Sequence, residues 1–177
     1  MKPRVGISRC LLGEDVRYDG TNRLNAAVAE LTTLVEWVPV CPEVEVGMGV
    51  PREPIQLVRN PAGVRSGVES VRLKGVQSEE DWTDRMDRWA GARAADLAAV
   101  GISGFVLKAR SPSCGPAGVL VHDDTGAPTS TGRGLFAEAL AAAMPGLPMI
   151  DEAALEDRRT RERFVQTVRA FAATLRS

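Results

Sequence analysis

The sequence predicts a single α/β domain with a mostly parallel sheet and helices on both faces, a Rossmann-like three-layer arrangement. Strand-like and helix-like segments alternate four times along the 177 residues, which is typical of parallel strands joined by helical crossovers. Three cysteines each follow a strand-like segment and precede a turn. Because crossovers are right-handed, the carboxyl ends of parallel strands meet at one edge of the sheet, and we expect the functional site there.

The apolar pattern predicts the elements in order. They are a strand at 4–8, a loop at 11–22, a helix at 24–35, a strand at 36–40, an irregular segment at 41–60, an edge strand or hairpin at 64–76, a helix at 78–101, a strand at 103–109, a short apolar run at 119–121, a turn-rich segment at 123–133, a helix at 135–140, a strand at 147–150 and a closing helix at 152–176. We find no linker or internal repeat, so residues 1–177 are expected to form one domain.

Local signals justify these elements. The helices rest on apolar residues three and four positions apart, and the strands on short apolar runs bounded by turns. Asn22 or Asn25 is expected to cap the first helix, and Ser78, followed by three acids, the second. Gly101 suits the end of that second helix. Prolines and glycines exclude a long helix in 41–60.

Composition and charge exclude several classes of protein. With 22 basic and 23 acidic residues the net charge is −1, which gives no support for binding a large nucleic acid or an anionic membrane. No apolar run reaches the roughly 18 residues that span a bilayer, and the first residues lack the pattern of a signal peptide. We therefore expect a cytoplasmic protein, where thiols stay reduced and an odd cysteine count favours metal binding or catalysis over disulfides.

The cysteines predict a metal site. Cys10, Cys41 and Cys114 are followed at once by Leu11-Leu12-Gly13, Pro42-Glu43 and Gly115-Pro116. The alternative is that they are small buried hydrophobic residues, as free cysteines often are. With His122, the chain's one histidine, they would make a Cys₃His zinc site. Without it they suit an iron–sulfur cluster with one iron free of a protein ligand, which would act as a Lewis acid on a sulfur-containing substrate.

Polar residues beside the cysteines are candidates for substrate binding and catalysis. Arg17, Tyr18 and Asp19 offer a cation, a stacking ring and a carboxylate, or else form an ordinary ion-paired loop. Glu43 is a candidate general base, with Glu45 as the alternative. Next to the third cysteine stand one lysine and two serines, which would bind a substrate or cluster sulfurs: Lys108, Ser111 and Ser113. Gly132-Arg133-Gly134 before a predicted helix suggests an anion site.

Taken together, these motifs resemble one family. They are Ser8-Arg9-Cys10-Leu11-Leu12-Gly13 with Val16-Arg17-Tyr18-Asp19-Gly20, Cys41-Pro42-Glu43-Val44 with Pro51-Arg52-Glu53-Pro54, and Leu107-Lys108-Ala109-Arg110-Ser111-Pro112-Ser113-Cys114-Gly115. The resemblance is to the bacterial thiouracil desulfidases, long catalogued as a domain of unknown function. It implies a [4Fe–4S] cluster with three cysteine ligands, Cys10, Cys41 and Cys114, and a fourth iron open to substrate or sulfide. Arg9 departs from the small residue that many members have there.

The expected function is removal of sulfur from 2- or 4-thiouracil to give uracil and sulfide, without net redox change. Glu43 would activate water, Ser111 or Ser113 with Lys108 would hydrogen-bond the ring, and Arg17 and Tyr18 would orient it. Alternatives are desulfidation of thiouridine in nucleosides or RNA, a non-catalytic zinc- or sulfur-binding protein, and an electron carrier. The expected partner is a small thiolated pyrimidine, and the expected state is a monomer or small homo-oligomer.

Overall fold

The computed structural model describes residues 2–65 and 68–176. The strands in this part of the chain are β1 (Arg4–Ser8), β2 (Glu36–Val40), β3 (Ile55–Arg65), β4 (Val68–Gly75), β5 (Phe105–Leu107), β6 (Val119–His122), β7 (Pro128–Gly132) and β8 (Met149–Asp151). The helices are α1 (Ala26–Leu31), α2 (Pro42–Glu45), α3 (Thr83–Ala99), α4 (Leu135–Ala143) and α5 (Arg158–Thr174). Short 3₁₀ turns occupy Arg9–Leu12 and Ala154–Glu156.

Four strands form a wholly parallel sheet, here called sheet A, in the order β2-β1-β5-β8. The strands that lead to the three cysteines are therefore neighbours, as the sequence predicts. Close packing of β1 on β5 requires a glycine, because a Cβ at Gly6 would lie 2.3 Å from the ring of Phe105.

Helices cover both faces of sheet A, which confirms the three-layer prediction. One face carries α1 and α5, whose apolar side chains such as Leu31 and Val168 pack on Val5 and Ile7. The other face carries α3 and α4, which contribute residues such as Leu97, Phe136 and Leu140 to a core around Phe105 and Leu107. Burial of these side chains is the main stabilising term for the domain.

A second sheet, sheet B, is the main departure from the sequence-based expectation. Its order is β4-β3-β6-β7, with β3 parallel to β6 and the outer pairs antiparallel. Leu57, Leu73, Val121 and Met86 of α3 form its core. The prediction of an edge strand or hairpin at 64–76 falls in the β3–β4 pair, apart from residues 66–67, which lie outside the described residues. The prediction of a turn-rich segment at 123–133 is wrong for Pro128–Gly132, which forms β7. Its side chains are largely exposed at the edge of sheet B, so no alternation of apolar residues marks it as a strand.

Element boundaries differ where local caps compete with tertiary contacts. Asn25 caps α1 as predicted, since its side chain accepts a hydrogen bond from Val28 N. Ser78 does not begin a helix: its hydroxyl bonds the carboxylate of Glu53, and α3 begins five residues later. The closing helix begins at Arg158 instead of Glu152, because Asp157 provides the cap. Strand β5 is shorter than the predicted 103–109.

Among the helices of the described ranges, none combines the length and the apolar character that a membrane crossing requires.

Candidate active site

One cavity of about 230 Å³ opens at the carboxyl edge of sheet A. The three cysteines line it, together with residues from the loops that follow β1, β2 and β5 and from the segment before β3. None of the three forms a disulfide, and all three are buried. The cavity is lined by the three cysteines and by charged and polar side chains: Arg9, Cys10, Arg17, Tyr18, Cys41, Glu43, Arg52, Glu53, Lys108, Arg110, Ser111 and Cys114.

Two cysteines are fixed by the short turns that end their strands. Cys10 lies in the 3₁₀ turn after β1, which Gly13 ends in the left-handed region at φ 91°. Cys41 is the N-cap of α2, with Pro42 at the first helical position, where its missing N–H is not needed. The side chain of Glu45 accepts a hydrogen bond from the backbone N–H of Cys41 at 3.2 Å. The two turns thus aim both thiols into the cavity instead of along the strands.

Cys114 is positioned differently, because it lies seven residues beyond the end of β5 and not at the strand end that the sequence suggested. The intervening loop is tied down by hydrogen bonds. Ser8 Oγ accepts from Lys108 N at 3.0 Å, and Gly115 N donates to Ser111 O at 2.7 Å. Ser111 Oγ accepts from the N–H of Cys114 at 3.2 Å. The loop therefore folds back and brings Cys114 to the same cavity.

The N-terminus of α4 binds this loop through backbone hydrogen bonds. It therefore does not form the anion site that Gly132-Arg133-Gly134 suggested. The first three N–H groups at that end donate to loop carbonyls: Gly134 N to Gly115 O at 2.9 Å, Leu135 N to Pro112 O at 3.2 Å, and Phe136 N to Ser113 O at 2.9 Å. A Cβ at Gly134 would lie 2.5 Å from the carbonyl carbon and oxygen of Ser113. The amides that an anion would need are already used.

Burial raises the pKa of all three thiols. Desolvation is the largest cause and the nearby carboxylate of Glu43 the second; the pKa of Cys10 rises to about 11, and that of Cys41 to about 12. The pKa of Cys114 is raised well above its usual range for the same reasons. The chain by itself therefore keeps these thiols neutral. A cationic metal group that binds them as thiolates has to displace their protons.

Glu43 is the carboxylate closest to this chemistry. Its Oε1 accepts a short hydrogen bond from Ser113 Oγ, and its Oε2 lies 3.5 Å from Cys41 Sγ and 3.8 Å from Arg52 Nη2. Its side chain is 12% exposed. Glu45, the alternative base, points away from the cavity and pairs with Arg93 at 3.2 Å. Ser113 is fully buried and contacts Cys114 Sγ at 3.5 Å, so it faces Glu43 and the thiol, whereas Ser111 lines the cavity.

The predicted trio of residues 17–19 is present as a local cluster, but only two of its members line the cavity. The guanidinium of Arg17 lies 5.2 Å from the centre of the Tyr18 ring, a cation–π distance. Asp19 does not line the cavity. Its carboxylate binds Arg17 at 3.3 Å and the hydroxyl of Thr21 at 2.6 Å, which holds Arg17 in place. Tyr18 is 40% exposed, as expected for a ring at the mouth of a cavity.

Lys108 lines the cavity and is anchored by Glu152. Its Nζ makes a short ion pair with Glu152 Oε1, and the N–H of Ala109 donates to Oε2 of the same carboxylate at 2.6 Å. Glu152 follows β8, so the fourth strand of sheet A also contributes to the site. The sequence reasoning missed Glu152, because nothing local connects it to Lys108, 44 residues earlier.

Comparisons with known proteins agree with this geometry. A sequence model described as 2-thiouracil desulfurase matches residues 5–152. The chain belongs to the 2-thiouracil desulfurase family. An uncharacterized protein of Bacillus subtilis (strain 168), YbbK, is 31% identical over 152 residues, which cover 85% of this chain and 97% of the relative. The chain is also similar to the solved structure of TudS, a [4Fe–4S]-dependent thiouracil desulfidase, with 28% identity and a TM-score of 0.66. That match covers 88% of this chain and 94% of TudS.

The family comparison confirms the resemblance that the motifs around the cysteines indicated, and with it the prediction that the chain is a desulfidase enzyme. A Cys₃His zinc site would need His122 as its fourth ligand. His122 lies on β6, with its Nδ1 3.3 Å from Leu57 O, and does not line the cavity. Among the side chains that the structure describes, those of residues 2–60 and 70–176, no group of three His, Cys, Asp or Glu is arranged to hold a single metal ion.

Two cavity cations were not singled out from the sequence as site residues. Arg52 lies in the Pro51-Arg52-Glu53-Pro54 motif, which was the available signal, and its side chain is 9% exposed. Arg110 lies in the motif that ends at Gly115 and adopts a left-handed backbone conformation at φ 59°. A non-glycine residue in that region is uncommon and often marks a functional position.

Proposed function

We propose that this enzyme removes sulfur from thiolated pyrimidines, with 2- and 4-thiouracil as substrates and a [4Fe–4S] cluster as cofactor. Cys10, Cys41 and Cys114 would hold the cluster, and one iron would have no protein ligand. The observation that carries the proposal is the meeting of three free cysteines from three separate loops in one cavity, beside the half-buried carboxylate of Glu43. The similar enzyme TudS is a [4Fe–4S]-dependent thiouracil desulfidase, which supports both the proposed cofactor and the proposed substrate.

The residues present fit such a cluster. Thiolate sulfur is the ligand that iron–sulfur clusters use, and no fourth cysteine lines the cavity. Arg17, Arg52 and Lys108 line the same cavity, so its wall carries cations as well as the three thiols. Ser113 Oγ donates its one proton to Glu43 Oε1 and lies 3.5 Å from Cys114 Sγ, so it packs against that sulfur without donating to it. When bound, the cluster would supply a Lewis acid that polarises the C–S bond of the substrate.

The chain's own residues would bind the pyrimidine and handle the protons. Arg17 and Tyr18 at the mouth would orient the ring, while Lys108 and Ser111 would donate hydrogen bonds to its polar edge. Glu43 would take a proton from the attacking water, with its carboxylate held by Ser113. The reaction balances without redox change: water forms the new C–O bond, the C–S bond breaks, and thiouracil plus water gives uracil plus hydrogen sulfide.

One observation favours a second substrate, thiouridine carried in a nucleotide. Five cations line the cavity, and four of them are paired with carboxylates: Arg9 with Glu14, Arg17 with Asp19, Arg52 with Glu43 and Lys108 with Glu152. Within the part of the chain that the structure describes, Arg110 makes no ion pair. A cation of this kind at the mouth would suit the phosphate of a thiouridine monophosphate.

The decisive experiment is anaerobic purification, followed by analysis of iron and sulfide and by measurement of the cluster absorption at about 400 nm. Sulfide release is then measured with 2-thiouracil, 4-thiouracil, thiouridine and its 5′-monophosphate. About four irons per chain and sulfide release from a free base establish the proposal. Turnover of the monophosphate alone would make the nucleotide the substrate. A protein that contains no cluster and cannot be reconstituted would refute the proposed cofactor.

Glu43 provides the sharper test of mechanism. Glu43→Gln keeps the shape of the side chain and removes its basicity, so kcat/KM should fall by about 10²–10⁴-fold while the cluster absorption stays. Glu45→Gln is the matched control: Glu45 lies outside the cavity, and glutamine keeps an oxygen that accepts the hydrogen bond from Cys41 N, so far less activity should be lost. Equal losses in the two variants would remove Glu43 from the role of base.

A further inference from the structure

Arg52 is a half-buried cation to which the proposed reaction gives no contact with the substrate. Its Nη1 donates hydrogen bonds to Val16 O at 3.0 Å and Gly49 O at 2.8 Å. Its Nη2 lies 3.8 Å from Glu43 Oε2, and the two side chains are 9% and 12% exposed. Among the described residues, Arg52 is the cation within 4.0 Å of this carboxylate. Its position is thus fixed by two backbone carbonyls that lie on different loops.

The same carboxylate oxygen also faces a cysteine. Cys41 Sγ lies 3.5 Å from Glu43 Oε2, a distance at which a neutral thiol can donate its proton. When Cys41 binds a metal it does so as a thiolate: the S–H bond breaks, the proton leaves to solvent and a sulfur–iron bond forms. The thiolate can no longer donate, and it faces the carboxylate of Glu43 in a site shielded from water. Two anions in such a place repel strongly unless a cation lies between or beside them.

The other cations that line the cavity are engaged elsewhere or lack a contact with Glu43. Arg9 pairs with Glu14 at 2.5 Å, and Lys108 pairs with Glu152. Arg17 pairs with Asp19. Arg52 is therefore the residue placed to compensate this pair of anions.

We propose that Arg52 is a positioning residue: it supplies the countercharge that lets Glu43 remain beside Cys41 once Cys41 is a cluster ligand. This inference rests on the proposed function, since it requires a cluster on Cys41. It assigns Arg52 a role in holding the cluster and the carboxylate together, separate from any contact with the substrate.

A double-mutant cycle on the anaerobically purified protein tests this role. The variants are Arg52→Met, Glu43→Gln and the double variant, and the measurement is the rate at which an iron chelator bleaches the cluster absorption. Arg52→Met should bleach about tenfold faster or more than wild type, because removing one partner of a buried ion pair leaves the other charge uncompensated. In the Glu43→Gln background the same change should have little effect, because the anion that Arg52 compensates is gone.

Three controls separate charge from structure. Arg52→Lys keeps the charge and should retain the cluster nearly as well as wild type. Arg52→Gln removes the charge but keeps a donor for one backbone carbonyl, and it should bleach as fast as Arg52→Met. If Arg52→Met does not fold, Arg52→Gln takes its place in the cycle. Arg110→Met removes a cation of the same cavity that does not contact Glu43, and should not speed the bleaching.

The outcomes are distinct. A double variant that bleaches as fast as Arg52→Met would overturn the proposal, since Arg52 would then act only by holding the two carbonyls. Arg52→Met and Arg52→Gln proteins that both bleach at the wild-type rate would overturn the proposal as well. A wild-type protein that never takes up a cluster would instead refute the proposed function on which the inference rests.

Discussion

Substituting Gly134 tests whether the N-terminus of α4 holds the Cys114 loop. A Cβ at this position would lie 2.5 Å from the carbonyl carbon and oxygen of Ser113 and 2.8 Å from Cys114 N. All of these are backbone atoms and cannot rotate away, so in Gly134→Ala the helix and the loop must separate. The backbone of Gly134 itself, at φ −65° and ψ 149°, suits alanine, so the effect is steric and not conformational.

The magnitude follows from the contacts that separate. Three hydrogen bonds join the first turn of α4 to the loop, at 2.9, 3.2 and 2.9 Å. At about 0.5–1.5 kcal/mol each, their loss lowers the free energy of unfolding by about 1.5–4.5 kcal/mol. For a chain of this length that corresponds to a melting temperature lower by about 3–18 °C. Because Cys114 moves with the loop, uptake of iron and sulfide by the purified protein should also fall.

The assay is urea denaturation followed by circular dichroism, with Gly91→Ala as the matched control. Gly91 lies inside α3, and a Cβ there would meet nothing within 4 Å. Alanine should therefore leave stability unchanged or raise it by up to about 1 kcal/mol. A Gly134→Ala protein within about 0.5 kcal/mol of wild type would refute the reasoning, because the helix and loop would then not be in contact as described.

Two further predictions concern the thiols and the anchor of Lys108. Folded pKa values of about 11 for Cys10 and about 12 for Cys41 mean that the unfolded chain loses these protons first. The contribution of these two thiols to the stability of the metal-free protein should therefore be constant below pH about 9 and fall between about 9 and 12, by about 3 kcal/mol for Cys10 and about 4 kcal/mol for Cys41. Urea titrations across this range should show the fall in wild type, and Cys10→Ser should reduce it. Glu152→Gln should lower the free energy of unfolding by about 2–3 kcal/mol and raise KM, because Lys108 loses its anchor. Glu162 lies in an exposed ion pair, so Glu162→Gln should change the free energy of unfolding by less than about 1 kcal/mol. Equal effects of these two variants would contradict the anchoring role of Glu152.

Much of the site was predictable because its parts are local. The apolar runs before Cys10 and Cys41 end in turns that a sequence displays, and parallel strands must place such turns at one edge. Cys114 was assigned to this edge correctly, but for an incomplete reason, since it reaches the cavity through a loop and not from the strand end. The placement of Glu43 followed from its distance of two residues from Cys41.

The sequence by itself determined the alternation of strands and helices, the edge at which the cysteines meet and the motifs that identify the family. Tertiary structure alone decided the contacts that position the side chains of the candidate site: Ser113 with Glu43, 70 residues apart, Glu152 with Lys108, and Arg52 beside the carboxylate. It also decided that β3, β4, β6 and β7 form a second sheet. The physical reason is that periodicity and turn residues act over a few positions, whereas these contacts depend on how loops and strands far apart in sequence pack together.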